Sequence, residues 1–443
     1  MTTVTVPPLG PPPPMTPPPT AERTLPTALR VIAVRWPGVP LVELRLRIPF
    51  GSTLPGHAAR ARMLAETLLA GTARYDRMAV AERAQELGAN LACTVDADTL
   101  LISGVAHTRH LDELLALLTH LLNDAAYPDG EVAAERERLL QRLRMARSRA
   151  GVRAKETLHR HLYREHPYGN ELPTLDEVAA VTADDVRALH ADRVTPAGSV
   201  LILVGDLGPE WALARAEAIL SDWTRSGPPA DPLPDAPPLI PDPSLLVHRP
   251  DSVQSSIRIG GVAMRRDDPR YAALQLTNLL YGGYFSSRLV ANIREDKGYT
   301  YSPRSRIDHA CVGSTLVVEA DVATEVTAPA LLEMWYELGR LSTLRPSDQE
   351  LEDVRQYAIG TLAMSIANQS GLANTLVALV CVGLDLTWVR DHPARLAEVT
   401  AADVYDIGVH ILAPCRLAAV VIGDAEQTEE PLKAFGPWEV RYP

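Results

Sequence analysis

Two side chains in the second half of the chain, Arg294 and Tyr301, are of types able to do chemistry on a carbonyl group. They follow the run Tyr281-Gly282-Gly283-Tyr284-Phe285-Ser286-Ser287-Arg288-Leu289, where the glycine pair suits a turn and Ser286 or Ser287 suits the N-cap of a helix. That helix should close at Arg294-Glu295-Asp296-Lys297-Gly298, with Gly298 in the left-handed position past its last turn. Tyr301 then falls near the start of a strand expected over Tyr299 to Ile307. A guanidinium at a helix end offers forked donors to peptide carbonyls or a carboxylate. A tyrosine hydroxyl can donate to the oxyanion formed when water attacks a scissile carbonyl, a contribution of about 3 kcal/mol in comparable sites. The plainer alternative is a surface ion pair for Arg294 and a packed ring for Tyr301.

Other candidates carry less. His159-Arg160-His161 and His107-Thr108-Arg109-His110 have metal-compatible spacing, but no carboxylate or cysteine partner is evident in the sequence. The run Glu135-Arg136-Glu137-Arg138 has the spacing of a solvated helix face. Cys93, Cys311, Cys381 and Cys415 are scattered, without a C-x-x-C pair. They are expected to be small buried residues in a reducing compartment, with no disulfide framework. The net charge of −12 argues against a nucleic-acid partner, which would call for clustered Lys and Arg. No stretch is apolar for about 18 residues, so no membrane span is expected, and cytoplasmic localisation is the default.

The elements that must hold these residues repeat. Val181-Thr182-Ala183-Asp184-Asp185-Val186 recurs as Val399-Thr400-Ala401-Ala402-Asp403-Val404, and at the same offset Val204-Gly205-Asp206 recurs as Ile422-Gly423-Asp424. In both copies a Thr should cap a helix with Asp in its first turn, ahead of a short aliphatic strand. Two proline-rich stretches punctuate the chain, and proline disfavours both helix and sheet. The expected organisation is a disordered tail over 1–22, a domain over 23–225, a stiff linker over 226–244 and a domain over 245–443. Leu41 to Ile48 alternates as a half-exposed strand, and Leu91 to Val105 reads as a hairpin. Leu111 to Leu122, Val132 to Met145, Ala328 to Leu341 and Gln349 to Ala367 read as helices. Strand runs followed by helix runs give an α+β class, with two homologous domains, each a mainly antiparallel sheet with helices packed on one face.

Further motifs fall in a telling order: Phe50-Gly51-Ser52, Gly71-Thr72, His166-Pro167-Tyr168-Gly169, the two Gly-Asp strand ends and the Arg294 to Tyr301 segment. Over roughly residues 25–430 the chain resembles the pitrilysin/insulysin family of zinc metallopeptidases, in its bacterial two-domain form. The family's inverted motif H-x-x-E-H supplies two imidazole ligands and a carboxylate base. Counting back from Gly71-Thr72, the histidine slots fall here on Arg62 and Glu66 and the glutamate slot on Ala65. Sliding by one residue leaves Met63 and Thr67 as the ligands, so neither register supplies an imidazole. The slot for the third ligand, a glutamate on a later charged helix, falls on Gln141 or Arg142.

The resemblance therefore implies a chain without its own metal or other cofactor. It would be the non-catalytic, substrate-binding subunit of a heterodimer whose H-x-x-E-H partner carries the zinc. Arg294 and Tyr301 match the family's substrate-binding pair, with Gly282 and Gly283 beside them, and a peptide is the implied substrate. A scaffold subunit, or a peptide-binding protein with no proteolytic role, is the alternative.

Overall fold

The computed structural model of the chain describes residues 16–225, 227, 230–237 and 243–442. The first sheet contains β1 (Thr20–Thr24), β2 (Arg30–Arg35), β3 (Leu41–Pro49), β4 (Asn90–Val95), β5 (Thr99–His107) and β6 (Val200–Gly205). Their spatial order is β1-β2-β6-β3-β5-β4. The second contains β7 (Ser244–His248), β8 (Gln254–Ala263), β9 (Arg304–His309), β10 (Ser314–Ala323), β11 (Ala418–Gly423) and β12 (Trp438–Arg441), ordered β12-β7-β11-β8-β10-β9. Both are mixed sheets. Only the β2–β6 contact is parallel in the first sheet, and the β7–β11 and β12–β7 contacts in the second.

Five strands of each sheet, β2-β6-β3-β5-β4 and β7-β11-β8-β10-β9, follow one plan, as the internal repeat required. Thr182 and Thr400 each cap a helix, and each accepts a hydrogen bond from the N–H of the Asp three positions on, Asp185 or Asp403. That Asp carboxylate in turn accepts from the Thr backbone N–H, at 2.8 Å in both copies. The reciprocal bonds satisfy donors that a helix start otherwise leaves free. One edge differs, since β1 comes before the repeated strands in sequence whereas β12 comes after them.

Each sheet carries its own half's helices on one face. The opposite face receives a helix from the other half. Ala150–Tyr163 lies on the second sheet, packing Ala154, Leu158 and Leu162 against Val317, Val420 and Ile422. Gln369–Cys381 lies on the first, bringing Leu372 and Leu376 to Ile32 and Ile202. The exchange explains why β3 is not the half-exposed strand its alternation suggests. Arg45 is only 6% exposed because Asn374 and Ser370 of the crossing helix take its guanidinium at 2.8 and 3.0 Å. Arg258 on β8 repeats the arrangement, donating to the Ile257 carbonyl as Arg45 donates to that of Leu44. Buried guanidiniums are tolerated only when paired and hydrogen-bonded in this way.

Several expectations need correction. Thr20–Thr24 pairs antiparallel with β2, so the first sheet begins inside the stretch read as a tail, and residues 1–15 lie outside the described residues. Ser244 begins β7, and residues 230–237 of the linker do not simply span the halves but pack along their seam. Leu233 is buried there with Tyr163 and Tyr168, and a side chain at Gly51 would collide with it at 2.8 Å. Apolar Leu233 has a seam to fill, which proline content alone does not reveal. Tyr299 to Tyr301 precede rather than belong to a strand, because β9 starts at Arg304.

Candidate functional site

The helix His57–Thr67 carries the slots read from the sequence, and the helix Asp129–Ser148 lies beside it. Ala65 is buried, so a methyl group stands in the base slot. Arg142, the farther of the two third-ligand candidates, turns its guanidinium back onto Glu66. One nitrogen, Nη2, lies 3.0 Å from Glu66 Oε1 and 3.0 Å from Glu135 Oε1. Arg138 holds the other oxygen of Glu135 at 2.8 Å. Glu135 is thus not on a solvated face as its charge run suggested. It is 7% exposed, because it sits between the two helices with two arginines to neutralise it. A guanidinium bridging two carboxylates is an internal cation, fixed to the chain. Gly71, at φ +134°, lies beyond the helix end at Thr67, and a side chain there would meet the Tyr75 carbonyl at 2.9 Å.

In the second half Arg294 and Tyr301 come together. The guanidinium carbon of Arg294 stands 4.9 Å from the Tyr301 ring centre and 4.7 Å from that of Phe285, so it is held between two aromatic faces. Its Nε lies 3.2 Å from Glu295. Tyr301 is 81% exposed and Phe285 67%, which excludes a core-packing role for either ring. The Tyr301 hydroxyl has no hydrogen-bond partner among the described residues. Gly298 adopts φ +66° and takes the Arg294 carbonyl at 3.2 Å, the helix end expected of it.

Gly282 is buried, and a side chain there would strike Ser305 of β9 at 2.9 Å. Gly283 is equally tight against Asn278. The pair does not form the turn expected of it: Leu279–Gly283 is a π-helical continuation of the helix Tyr271–Asn278, and the two glycines let it lie close against β9 and Asn278. Ser287 occupies the N-cap position, but its hydroxyl makes no capping bond. Phe285 was not singled out from the sequence, where an exposed aromatic beside a serine pair has no distinguishing signal.

The sequence pattern of the insulinase family (peptidase family M16) matches residues 30–174, and that of the peptidase M16 inactive domain matches residues 180–357. The chain belongs to peptidase family M16. A relative from Mycobacterium leprae, an uncharacterized zinc protease, is 26% identical over 64% of this M16 chain and 65% of its own length. An uncharacterized zinc protease from Streptomyces coelicolor is 23% identical over 88% of the chain and 86% of its own length. The non-peptidase homolog YmxG of Helicobacter pylori is 21% identical over 78% and 80%. Among solved structures, a peptidase M16 inactive domain from Pseudomonas fluorescens superposes with a TM-score of 0.83 at 23% identity, covering 91% of this chain and 98% of that one.

The remaining candidates lie apart from one another in the M16 fold. His159 faces the seam 3.7 Å from Glu171, and burial lowers its pKa. His107 and His110 instead bracket Arg109 on the surface, each accepting one of its N–H groups. The reading of four unpaired cysteines is overturned for two of them. Cys311 and Cys381 form a disulfide, with Cα atoms 5.2 Å apart. A β-turn and a helix end meet there through folding, and a separation of 70 residues hides the pair from any local pattern. Arg47 lies 3.3 Å from the Cys311 sulfur. Asp98 accepts the Cys311 N–H at 3.0 Å and the Tyr168 hydroxyl at 2.9 Å, giving the Tyr-Gly motif its place.

Proposed function

We propose that this M16 chain is the non-catalytic, substrate-binding subunit of a heterodimeric zinc metallopeptidase. The observation that carries the reading is Arg142. Its guanidinium bridges Glu66 and Glu135 in the region where the family motif would assemble a metal. Zinc sites need neutral imidazole, thiolate or carboxylate ligands with open lone pairs. Here the slots offer a guanidinium, a methyl group and a carboxylate already paired, so the donor set does not fit zinc. No step of peptide hydrolysis is therefore assigned to this cluster.

The partner, an H-x-x-E-H chain, would supply zinc and the base that activates water. This chain would contribute binding. Arg294, pre-oriented between Phe285 and Tyr301, presents unspent guanidinium N–H groups to a peptide carbonyl or carboxylate. Tyr301 presents a free hydroxyl to the oxyanion as it forms, at a rim exposed enough to meet a second chain. A relative in Helicobacter pylori, the non-peptidase homolog YmxG, supports this reading.

The test is to purify the chain alone and with an H-x-x-E-H protein from the same source. The expected result is no zinc and no peptide cleavage for the chain alone, and a 1:1 complex with zinc and chelator-sensitive activity. A tightly held zinc in the isolated chain with chelator-sensitive proteolysis would overturn the proposal. A chain that stays monomeric beside every such partner would favour the scaffold alternative.

A further inference from the structure

The Cys311–Cys381 disulfide joins elements seated on opposite sheets. Cys311 lies in the turn between β9 and β10, where the Ala310 N–H donates to the Gly313 carbonyl at 3.0 Å. Cys381 ends the helix Gln369–Cys381, which packs on the first sheet. The bond therefore fastens a turn of the second sheet to an element held by the first. Weaker ties from the first half flank it. Asp98 accepts the Cys311 N–H at 3.0 Å, and the Val312 N–H donates to the Tyr168 hydroxyl at 3.1 Å.

This is not a bond sealed in a core. Both cysteines are half-buried, and Cys381 lines a cavity of about 800 Å³ at the seam between the halves. Arg47 of β3 faces the pair, with Nη2 at 3.3 Å from the Cys311 sulfur and 3.8 Å from that of Cys381. The opposing charge is Asp98, within 4.8 Å of both sulfurs but engaged by the Tyr168 hydroxyl and the Cys311 N–H. Asp96 is turned onto the backbone N–H groups of Asp98 and Thr99, both at 2.8 Å. A cation beside a sulfur favours the thiolate, and a thiol of lower pKa leaves faster in exchange. Arg47 is nearer to Cys311, which makes that sulfur the better leaving group, while Cys381 is the one on the cavity wall.

We propose that Cys311–Cys381 is a reversible redox latch between the halves, opened by a small dithiol entering the seam cavity, with Arg47 stabilising the departing Cys311 thiolate. A thiolate of the dithiol attacks the Cys381 sulfur. A mixed disulfide forms as the Cys311–Cys381 bond breaks, and the electron pair of that bond goes to Cys311. The second thiolate of the dithiol then closes on its own bridged sulfur, releasing Cys381. The dithiol loses two electrons and two protons, and the cysteine pair gains them. The latch is independent of the partner-assisted peptidase role.

The test uses the full-length chain carrying Cys93→Ala and Cys415→Ala, so that alkylation and mass spectrometry count this pair alone. Dithiothreitol at pH 7 without denaturant should expose both thiols at a rate proportional to its concentration, while circular dichroism stays native. Glutathione disulfide should then restore the bond. Deuterium uptake over residues 310–313 should rise in the reduced form. Arg47→Gln should slow opening at least about threefold, and Arg47→Lys should recover much of the rate. As a reading that needs no arginine variant, the lone Cys311 thiol in Cys381→Ser should be alkylated with a pKa below the usual value of about 8.5. Reduction only in denaturant, or equal rates in wild type and Arg47→Gln, would overturn the proposal. So would a Cys311 pKa at or above the usual value, failure to reoxidise, or unchanged deuterium uptake.

Discussion

Replacing Arg142 with Met keeps the aliphatic stem and removes the guanidinium that joins two helices. Glu66 and Glu135 would each lose a charged contact at 3.0 Å. At an effective dielectric near 20, one such pair is worth roughly 5 kcal/mol before desolvation and screening. The Arg142 side chain is 49% exposed and that of Glu66 30%, so water recovers most of that attraction. Glu135 is 9% exposed but keeps Arg138. The net loss therefore falls between the values for surface and buried pairs, at about 1–2 kcal/mol. For a unit of this size that lowers Tm by about 3–6 °C. Urea unfolding followed by circular dichroism at pH 7 measures it, and a double-mutant cycle with Glu66→Gln isolates the pair. The expected coupling is about 0.5–1 kcal/mol, reduced in high salt. A coupling indistinguishable from zero, with unchanged Tm for Arg142→Met, would refute the internal-cation account.

Burial holds His190 down to about 4, and His309 and His392 down to about 3. Only the unfolded chain binds these protons just below its own histidine pKa of about 6.5, so stability is fully present above that pH and falls as pH drops toward 3. Each histidine contributes up to about 1.4 kcal/mol per pH unit; a urea midpoint that does not fall between pH 6.5 and 5 would contradict their burial. Opening the Cys311–Cys381 bond, which closes a 70-residue separation, should cost about 2–4 kcal/mol, read as the difference in urea unfolding between wild type and Cys381→Ser. Equal stability of the two proteins, with four alkylatable thiols in the wild type, would show that the bond does not form. Phe285→Ala should remove one wall from Arg294 and raise KM of the assembled peptidase about 2–5-fold, with little change in kcat. An unchanged KM would leave Phe285 without a role in orienting the guanidinium.

Local chemistry made much of this legible in the sequence. The paired Thr and Asp caps at 182–185 and 400–403, and the aliphatic strands after them, declare themselves within a few residues and so reveal the repeated halves. Gly298 was legible because only a left-handed residue suits that helix end. What escaped notice depends on contacts between distant segments. The exchange of Ala150–Tyr163 and Gln369–Cys381 between halves buries Arg258 and also Arg45, which the alternation of its strand had turned toward solvent. The same exchange creates the seam that captures Leu233 and brings Cys311 to Cys381. At the site, the missing imidazoles were plain in the sequence. That Arg142, from the third-ligand slot, sets a guanidinium on Glu66 became visible only once two helices lay side by side.

Whether this chain acts on a peptide bond through its partner is tested most directly by the kinetics of Tyr301→Phe in the reconstituted heterodimer. A hydroxyl that meets charge only in the transition state should affect kcat far more than KM. The expected result is a kcat lower by on the order of 10²-fold, with unaltered assembly and unaltered zinc in the partner. Arg294→Ala should instead raise KM, since a guanidinium on the peptide backbone acts before and during reaction alike. Wild-type kcat for Tyr301→Phe would contradict the account, leaving the tyrosine an exposed ring beside an arginine.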